Sequence, residues 1–439
     1  MGTGHSHDHD GEHGAAAAFD PTLVRWLTIT AVALGIATLV GIVALWPGDR
    51  DRTDIGSFGV SRTSYAATVT AVEEFACPGA VDLDPNSDGL DALDDQDDGD
   101  RTPSRCATVT FRLSEGPDAG ESRSVELFDV DAQPEIAVGD PIVVPYLASA
   151  DEPFQYASQF ERERGWPMLV LAVAFAALVV IQGRLRGVAA LAGLAASIGV
   201  ILVFVLPALI GGGPPVLVAV VAASTIAYLA LYLAHGFSPL TTVALLGTLA
   251  SLLLVTLISW LFTGLTTLSG LSEETQWIRV LGGDLDFTGL LLAGMILGAL
   301  GALDDMTVTQ SSAVAELKAA DPTLGPVELY RRAIRIGRDH VASTVNTLAL
   351  AYAGASLPLL LVFLSSEQTI GRVLTSEIVA TEIVRTLVGS IGLVASVPLT
   401  TALAARVVGG RRTPRRSPTD AGRDAGLDPN LDGADGAGW

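Results

Sequence analysis

The chain has 439 residues, of which 49% are hydrophobic and only 17% charged, with a positive mean hydropathy. That balance excludes an ordinary soluble globule and points to an α-helical polytopic membrane protein whose first partner is the lipid bilayer. The formal net charge of -22 argues against nucleic acid as a partner. The acid gathers between Asp82 and Asp100 and in the C-terminal tail, however, so charge is read segment by segment. Two cysteines in all exclude a disulfide framework and a thiolate metal cluster.

Residues 1–22 form a tail in which His5, His7, His9 and His13 alternate with acids. Such imidazoles collect a zinc or nickel ion only weakly when nothing orders them, and an unstructured leader is the simpler reading. Residues 23–46 are uncharged except for Arg25 near the entrance and end at Trp46-Pro47-Gly48, which predicts a transmembrane helix rather than a cleaved signal. From 49 to 165 the composition turns polar. Period-two runs at 65–72, 107–113, 124–130 and 142–147 predict a small extracytoplasmic β domain. Cys77 and Cys106 bracket its acidic loop, and outside the cytoplasm they would form a disulfide. Within the loop Asp84, Asn86 and Asp88, followed by Gly89, match the opening of a calcium loop. Asp95 stands where a bidentate Glu is usual, so calcium is one reading and an uncommitted acidic loop the other.

Beyond this domain the chain is mostly membrane. Apolar runs at 167–182, 188–210, 216–234, 240–262, 289–320, 341–364 and 386–408, with the first helix, predict about eight spans. Arginines crowd alternate connectors: Arg184 and Arg186, then Arg331 to Arg338, then Arg411 to Arg416. The positive-inside rule then sets a multi-pass cell-membrane protein with both termini cytoplasmic, a membrane domain over 166–408 and a disordered tail over 409–439. The basic segment 325–338 reads as an interfacial helix on anionic headgroups, preceding a separate span.

The run from Gly289 to Ala320 holds two adjacent carboxylates, Asp304 and Asp305. As one helix its 32 residues reach about 48 Å, longer than the hydrocarbon core of roughly 30 Å, which places both acids at membrane depth. Gly294, Gly298, Gly301, Asp305, Ser312 and Glu316 share one face, where small residues would admit a neighbouring helix and desolvate Asp305. A carboxylate there marks an ion or proton path. A helix ending at Leu303, with both acids in water, is the alternative. Ser343, Asn346 and Thr347 on the next span either line a polar path beside Asp305 or hold helices together. Glu377, Glu382 and Arg385 read as rim charges outside the last span.

Gly301-Ala302-x-x-Asp305 with its following hydroxyl residues, IGRDHVASTVNTLALAYAGASLPLLL and EIVATEIVRTLVGSIGLVASVPLT together resemble the YibE/F family of bacterial multi-span membrane proteins over about 166–406. The resemblance implies that the single membrane carboxylate of the family falls on Asp305, with Asp304 as the departure, and that transport is the suspected role. GALDDMTV and GRDHVASTVNTLAL are similar, more distantly, to RND permeases, which move protons through such aspartates; one copy with eight spans departs from their two six-span halves unless it dimerises. Two function classes follow. One is a transporter or permease of an unknown small substrate or ion, proton-coupled through Asp305 and functioning as a homo-oligomer. The other is a non-transporting scaffold or sensor whose outer β domain binds calcium or a protein partner. No enzymatic constellation is visible, since aspartyl proteolysis needs carboxylates on two helices.

Overall fold

The structure is a computed structural model, and it describes residues 19–48, 63–76, 105–127, 135–146, 156, 161–271, 285–364 and 369–409. The His-rich tail, Cys77, the candidate calcium ligands Asp84, Asn86, Asp88 and Asp95, and the C-terminal tail lie outside them. The chain divides into two compact units, one within Asp51–Gln182 and one formed by Met1–Arg50 with Gly183–Trp439.

The first of these contains an antiparallel sheet of strands β1 (Thr63–Ala76), β2 (Arg105–Leu113), β3 (Ser122–Leu127), β4 (Pro141–Tyr146) and β5 (Glu161–Arg162), in the order β3-β2-β1-β4-β5. Alternation puts Ala67, Val69, Val109, Phe111, Leu113, Ile142 and Val144 on one buried face, as a period of two requires. Tyr156 packs on this face edge-on to Phe111 and donates a 2.6 Å hydrogen bond to Asp118. A bulge between Val69 and Ala71 shifts the register of β1 on β2. The two-residue β5 has no pattern long enough to read, and it is the strand the period-two reading does not contain. Helix α2 (Gly165–Gly183) follows within this unit.

The larger unit is a helical bundle: α1 (Pro21–Leu45), α3 (Leu185–Ile210), α4 (Pro215–His235), α5 (Pro239–Leu265), α6 (Phe287–Ala320), α7 (Pro326–Ala355), α8 (Leu357–Leu364), α9 (Ile370–Leu374) and α10 (Glu377–Gly409). Asp20, Ser238 and Asp286 cap α1, α5 and α6 by accepting backbone N–H bonds, with Pro21 and Pro239 in the first turns, positions where a missing N–H costs nothing. In α3 the turn Ile201–Val205 widens to a π-helix just before Pro207, whose ring would otherwise meet the carbonyl four residues back. Helices α5, α6 and α10 pack mutually, with α4 beside α6 and α7 beside α10.

Seven helices among the described residues, α1 to α6 and α10, are long and apolar enough to cross a membrane. The expected eighth span at 341–364 is not one helix. Its first part is the C-terminal half of α7, and the chain breaks at Ser356 before α8. Nor is 325–338 a separate interfacial helix, because α7 runs unbroken from Pro326 to Ala355. Its Leu329, Ala333 and Gly337 are buried one turn apart. A Cβ at Gly337 would lie 2.6 Å from Val397 of α10 and 2.7 Å from Gln310 of α6, so glycine is what lets three helices meet there. Helix α10 likewise begins nine residues before Thr386, at Glu377.

Candidate functional site

Both aspartates are well inside α6, which continues past Leu303 to Ala320. They are 100° apart on the helix and so enter different surroundings. Asp305 has a side chain 69% exposed, and its Oδ2 lies 3.8 Å from His340 Nε2 on α7. Asp304 turns toward the bundle, and its Oδ1 is buried with no hydrogen-bond partner among the described residues.

This reverses the expectation for Asp305. The stripe Gly294, Gly298, Gly301, Asp305, Ser312 and Glu316 does share a face, but every member is exposed. A Cβ at Gly294 or Gly301 would meet nothing within 4 Å, and one at Gly298 only the Tyr352 hydroxyl at 3.6 Å. No helix of the described chain closes on that stripe, so Asp305 is not desolvated by it. Ser343, Asn346 and Thr347 are also exposed on α7, with Thr347 Oγ1 donating to its own helix at Ser343 O. They extend the outward polar face instead of lining a path through the bundle.

The interior polar groups are elsewhere, on α5, α6 and α10. Thr248 and Thr307 hydroxyls are 2.7 Å apart and fully buried. Thr307 Oγ1 is also 3.0 Å from the carbonyl of Asp304, and Thr248 Oγ1 is 3.1 Å from the carbonyl of Ala244. One consistent arrangement runs Thr307 to Thr248 to Ala244 O, in which Thr307 gives its single hydroxyl proton to Thr248 and none to the Asp304 carbonyl. Gln310 Nε2 donates to Ala333 O at 2.9 Å. Thr400 of α10 is fully buried with its Oγ1 unpartnered among the described residues, and a Cβ at Gly247 would stand 2.3 Å from it. The legible signal for this set is hydroxyl residues at helical spacing, Thr241, Thr248 and Ser251 on α5 and Ser396 with Thr400 on α10.

Thr248 is the tenth residue of the 27-residue α5, about 14 Å from its start, and Thr307 is tied to it. The two aspartates are therefore level with the interior of a helix long and apolar enough to cross a membrane.

The expected rim charges have definite partners. Glu377 Oε1 accepts from Ser269 N, Ser269 Oγ and Gly270 N at 2.7, 2.5 and 3.1 Å, tying the end of the loop after α5 to the start of α10. Arg385 donates to Glu382 at 2.6 Å. Glu382 also lines a cavity of about 270 Å³ beneath Tyr352 and Leu360. A second cavity, of about 480 Å³, lies between α1, α4 and α5 beside Tyr228, Tyr232 and Phe237. Neither is lined by Asp304 or Asp305.

No cluster of three or more His, Cys, Asp or Glu able to hold a metal occurs among the described residues. Cys106 is buried on β2; the expected pairing with Cys77 and the calcium reading of the acidic loop fall outside the described residues.

A search of the curated proteins found no match, nor did a search of the solved structures, so the likeness to RND permeases gains no support. The family model described as YibE/F-like protein matches residues 171–410. That stretch covers more than half of the chain and includes both aspartates, the buried hydroxyls and His340, and on it the chain belongs to the YibE/F-like family of integral membrane proteins.

Proposed function

We propose that this protein is a proton-linked membrane transporter in which Asp304 carries the proton and Asp305 with His340 forms its approach. One observation carries the reading: a carboxylate oxygen buried without a hydrogen-bond partner among the described residues, within a candidate membrane span, among helices that otherwise satisfy most of their polar groups. Such an oxygen is costly unless a proton or cation accompanies it. Asp305 stands beside it on the outward side of α6, with the buried Nε2 of His340 3.8 Å away. The hydroxyl chain through Thr307 and Thr248 lies on the other.

The same reading assigns sidedness. The first turn of α1, the α6–α7 connection and the end of α10 are gathered at one end of the bundle, where Asp20 N bonds Val407 O. Arg331, Arg332, Arg335 and Arg406 belong to that end, which supports its being cytoplasmic. The β domain is then extracytoplasmic in the cell membrane, a setting that favours a Cys77–Cys106 disulfide.

The experiment is infrared difference spectroscopy of the full-length protein in lipid, stepped across neutral pH, with Asp304→Asn and Asp305→Asn compared. A protonated-carboxyl band present in the wild type and missing in Asp304→Asn is expected. The same spectra in all three proteins would end the proton reading.

A further inference from the structure

We propose that a second copy of this chain covers the outward face of α6 and α7, so that the Asp305–His340 pair lies at a two-fold interface within the membrane. The proposal does not depend on the transport reading.

The outward faces of this bundle are of two kinds. On α1, the exposed side chains include Ile29, Val32, Ile36, Leu39 and Val43, and on α5 they include Leu253, Leu257 and Trp260. These are surfaces that hydrocarbon covers well. The face of α6 and α7 is different. Asp305 and Glu316 are exposed on α6, and Arg331, Arg335, Arg338, Asp339 and Asn346 on α7. Through the Thr248–Thr307 bond Asp305 is level with the interior of the candidate span α5, and an acid within a span is among the costliest side chains to present to lipid. A face of this composition is covered by protein or by water that protein encloses.

The occupant follows from the charge pattern. Helices α6 and α7 are adjacent, and their outward rows differ in net sign: two acids on α6, three arginines against the single acid Asp339 on α7. An isologous interface sets each row of one copy against rows of the other. A face holding both an acidic and a basic row is its own complement, so a two-fold operator brings α6 of one copy to α7 of its partner. Gly294, Gly298 and Gly301, where an added Cβ finds open space or only a distant hydroxyl, allow that approach to be close. Helix α2 offers no alternative chemistry, because between Gly165 and Gly183 it has no charged side chain to meet these rows.

The test is single-molecule photobleaching of the full-length protein, carrying one fluorophore per chain, in lipid vesicles dilute enough to separate unassociated copies. Two-step bleaching is expected for the wild type. Gly301→Trp, whose Cβ would meet nothing within 4 Å and whose ring would occupy the gap between copies, and Arg335→Glu, which reverses one row, should each convert most molecules to one step. Leu257→Trp on the apolar face of α5 should leave two steps. Circular dichroism and a single elution peak confirm that each variant is folded, and a disulfide-dependent dimer band from Gly301→Cys or Asn346→Cys gives a second reading. One-step bleaching of the wild type overturns the proposal, as does a dimer that both Gly301→Trp and Arg335→Glu leave intact.

Discussion

His340 Nε2 stands 3.8 Å from Asp305 Oδ2, within reach of an ion pair and beyond that of a hydrogen bond. The contact links α6 to α7 at the level where two adjacent carboxylates part company, one facing outward to the imidazole and one facing into the bundle. A single turn of helix thus holds an accessible acid and a secluded one.

Glycines on the two sides of the bundle should behave in opposite ways. A Cβ at Gly392 would lie 2.2 Å from Val255 Cγ2, whereas one at Gly199 of α3 meets nothing within 4 Å. Gly392→Ala should cost about 1–3 kcal/mol through overpacking. Gly199→Ala should be neutral or gain up to about 1 kcal/mol from helix propensity. Apparent thermal midpoints in detergent check both.

Glu377 gives a prediction for the outer connections. With three donors on one carboxylate oxygen, Glu377→Ala should weaken that tie by about 1.5–3 kcal/mol and speed hydrogen exchange at residues 266–271. Glu377→Gln, which keeps an acceptor oxygen, should have a smaller effect. Equal exchange in all three proteins would show that the tie contributes nothing.

In the β domain the Tyr156–Asp118 bond predicts a pH dependence. The Tyr156 hydroxyl bond, ahead of the Arg123 charge, holds the Asp118 carboxyl below its ordinary value despite the opposing effect of burial. A depressed acid contributes stability above its unfolded pKa of about 3.9 and loses it as pH falls through the lower folded value. Tyr156 itself is raised, first by burial and then by Asp118. Its contribution is complete below the unfolded value of about 10 and fades as pH rises through the higher folded one. Tyr156→Phe should therefore flatten both limbs, seen as a loss of pH dependence in amide protection at residues 114–121 below about pH 4.

Thiol labelling addresses sidedness and the outer loop together. Native protein should present no reactive thiol until reduced, since Cys77 and Cys106 are expected to pair. A Ser417→Cys probe should react only once the cytoplasmic side is opened; reaction from outside intact cells would invert the topology.

The apolar runs made the bundle legible because a membrane span needs a length of hydrophobic side chains, a property local to each segment. Alternation likewise located four strands, while β5 is too short to alternate. The run at 341–364 satisfied the same composition rule and still divided at Ser356. Its first half belongs to a helix begun at Pro326 and anchored through Leu329, Ala333 and Gly337.

The sequence by itself determined that this is a multi-span helical protein with a small β domain and that, on one continuous helix, Gly294, Gly298, Gly301 and Asp305 share a face; it left open whether that helix runs past Leu303, as α6 does. Only the tertiary structure decided which way that face points. Helical periodicity tells which residues lie together but carries no record of which neighbour approaches them. Close packing among α5, α6 and α10 turned the Thr307 side inward, so that Asp304 is secluded and Asp305 is left outside beside His340.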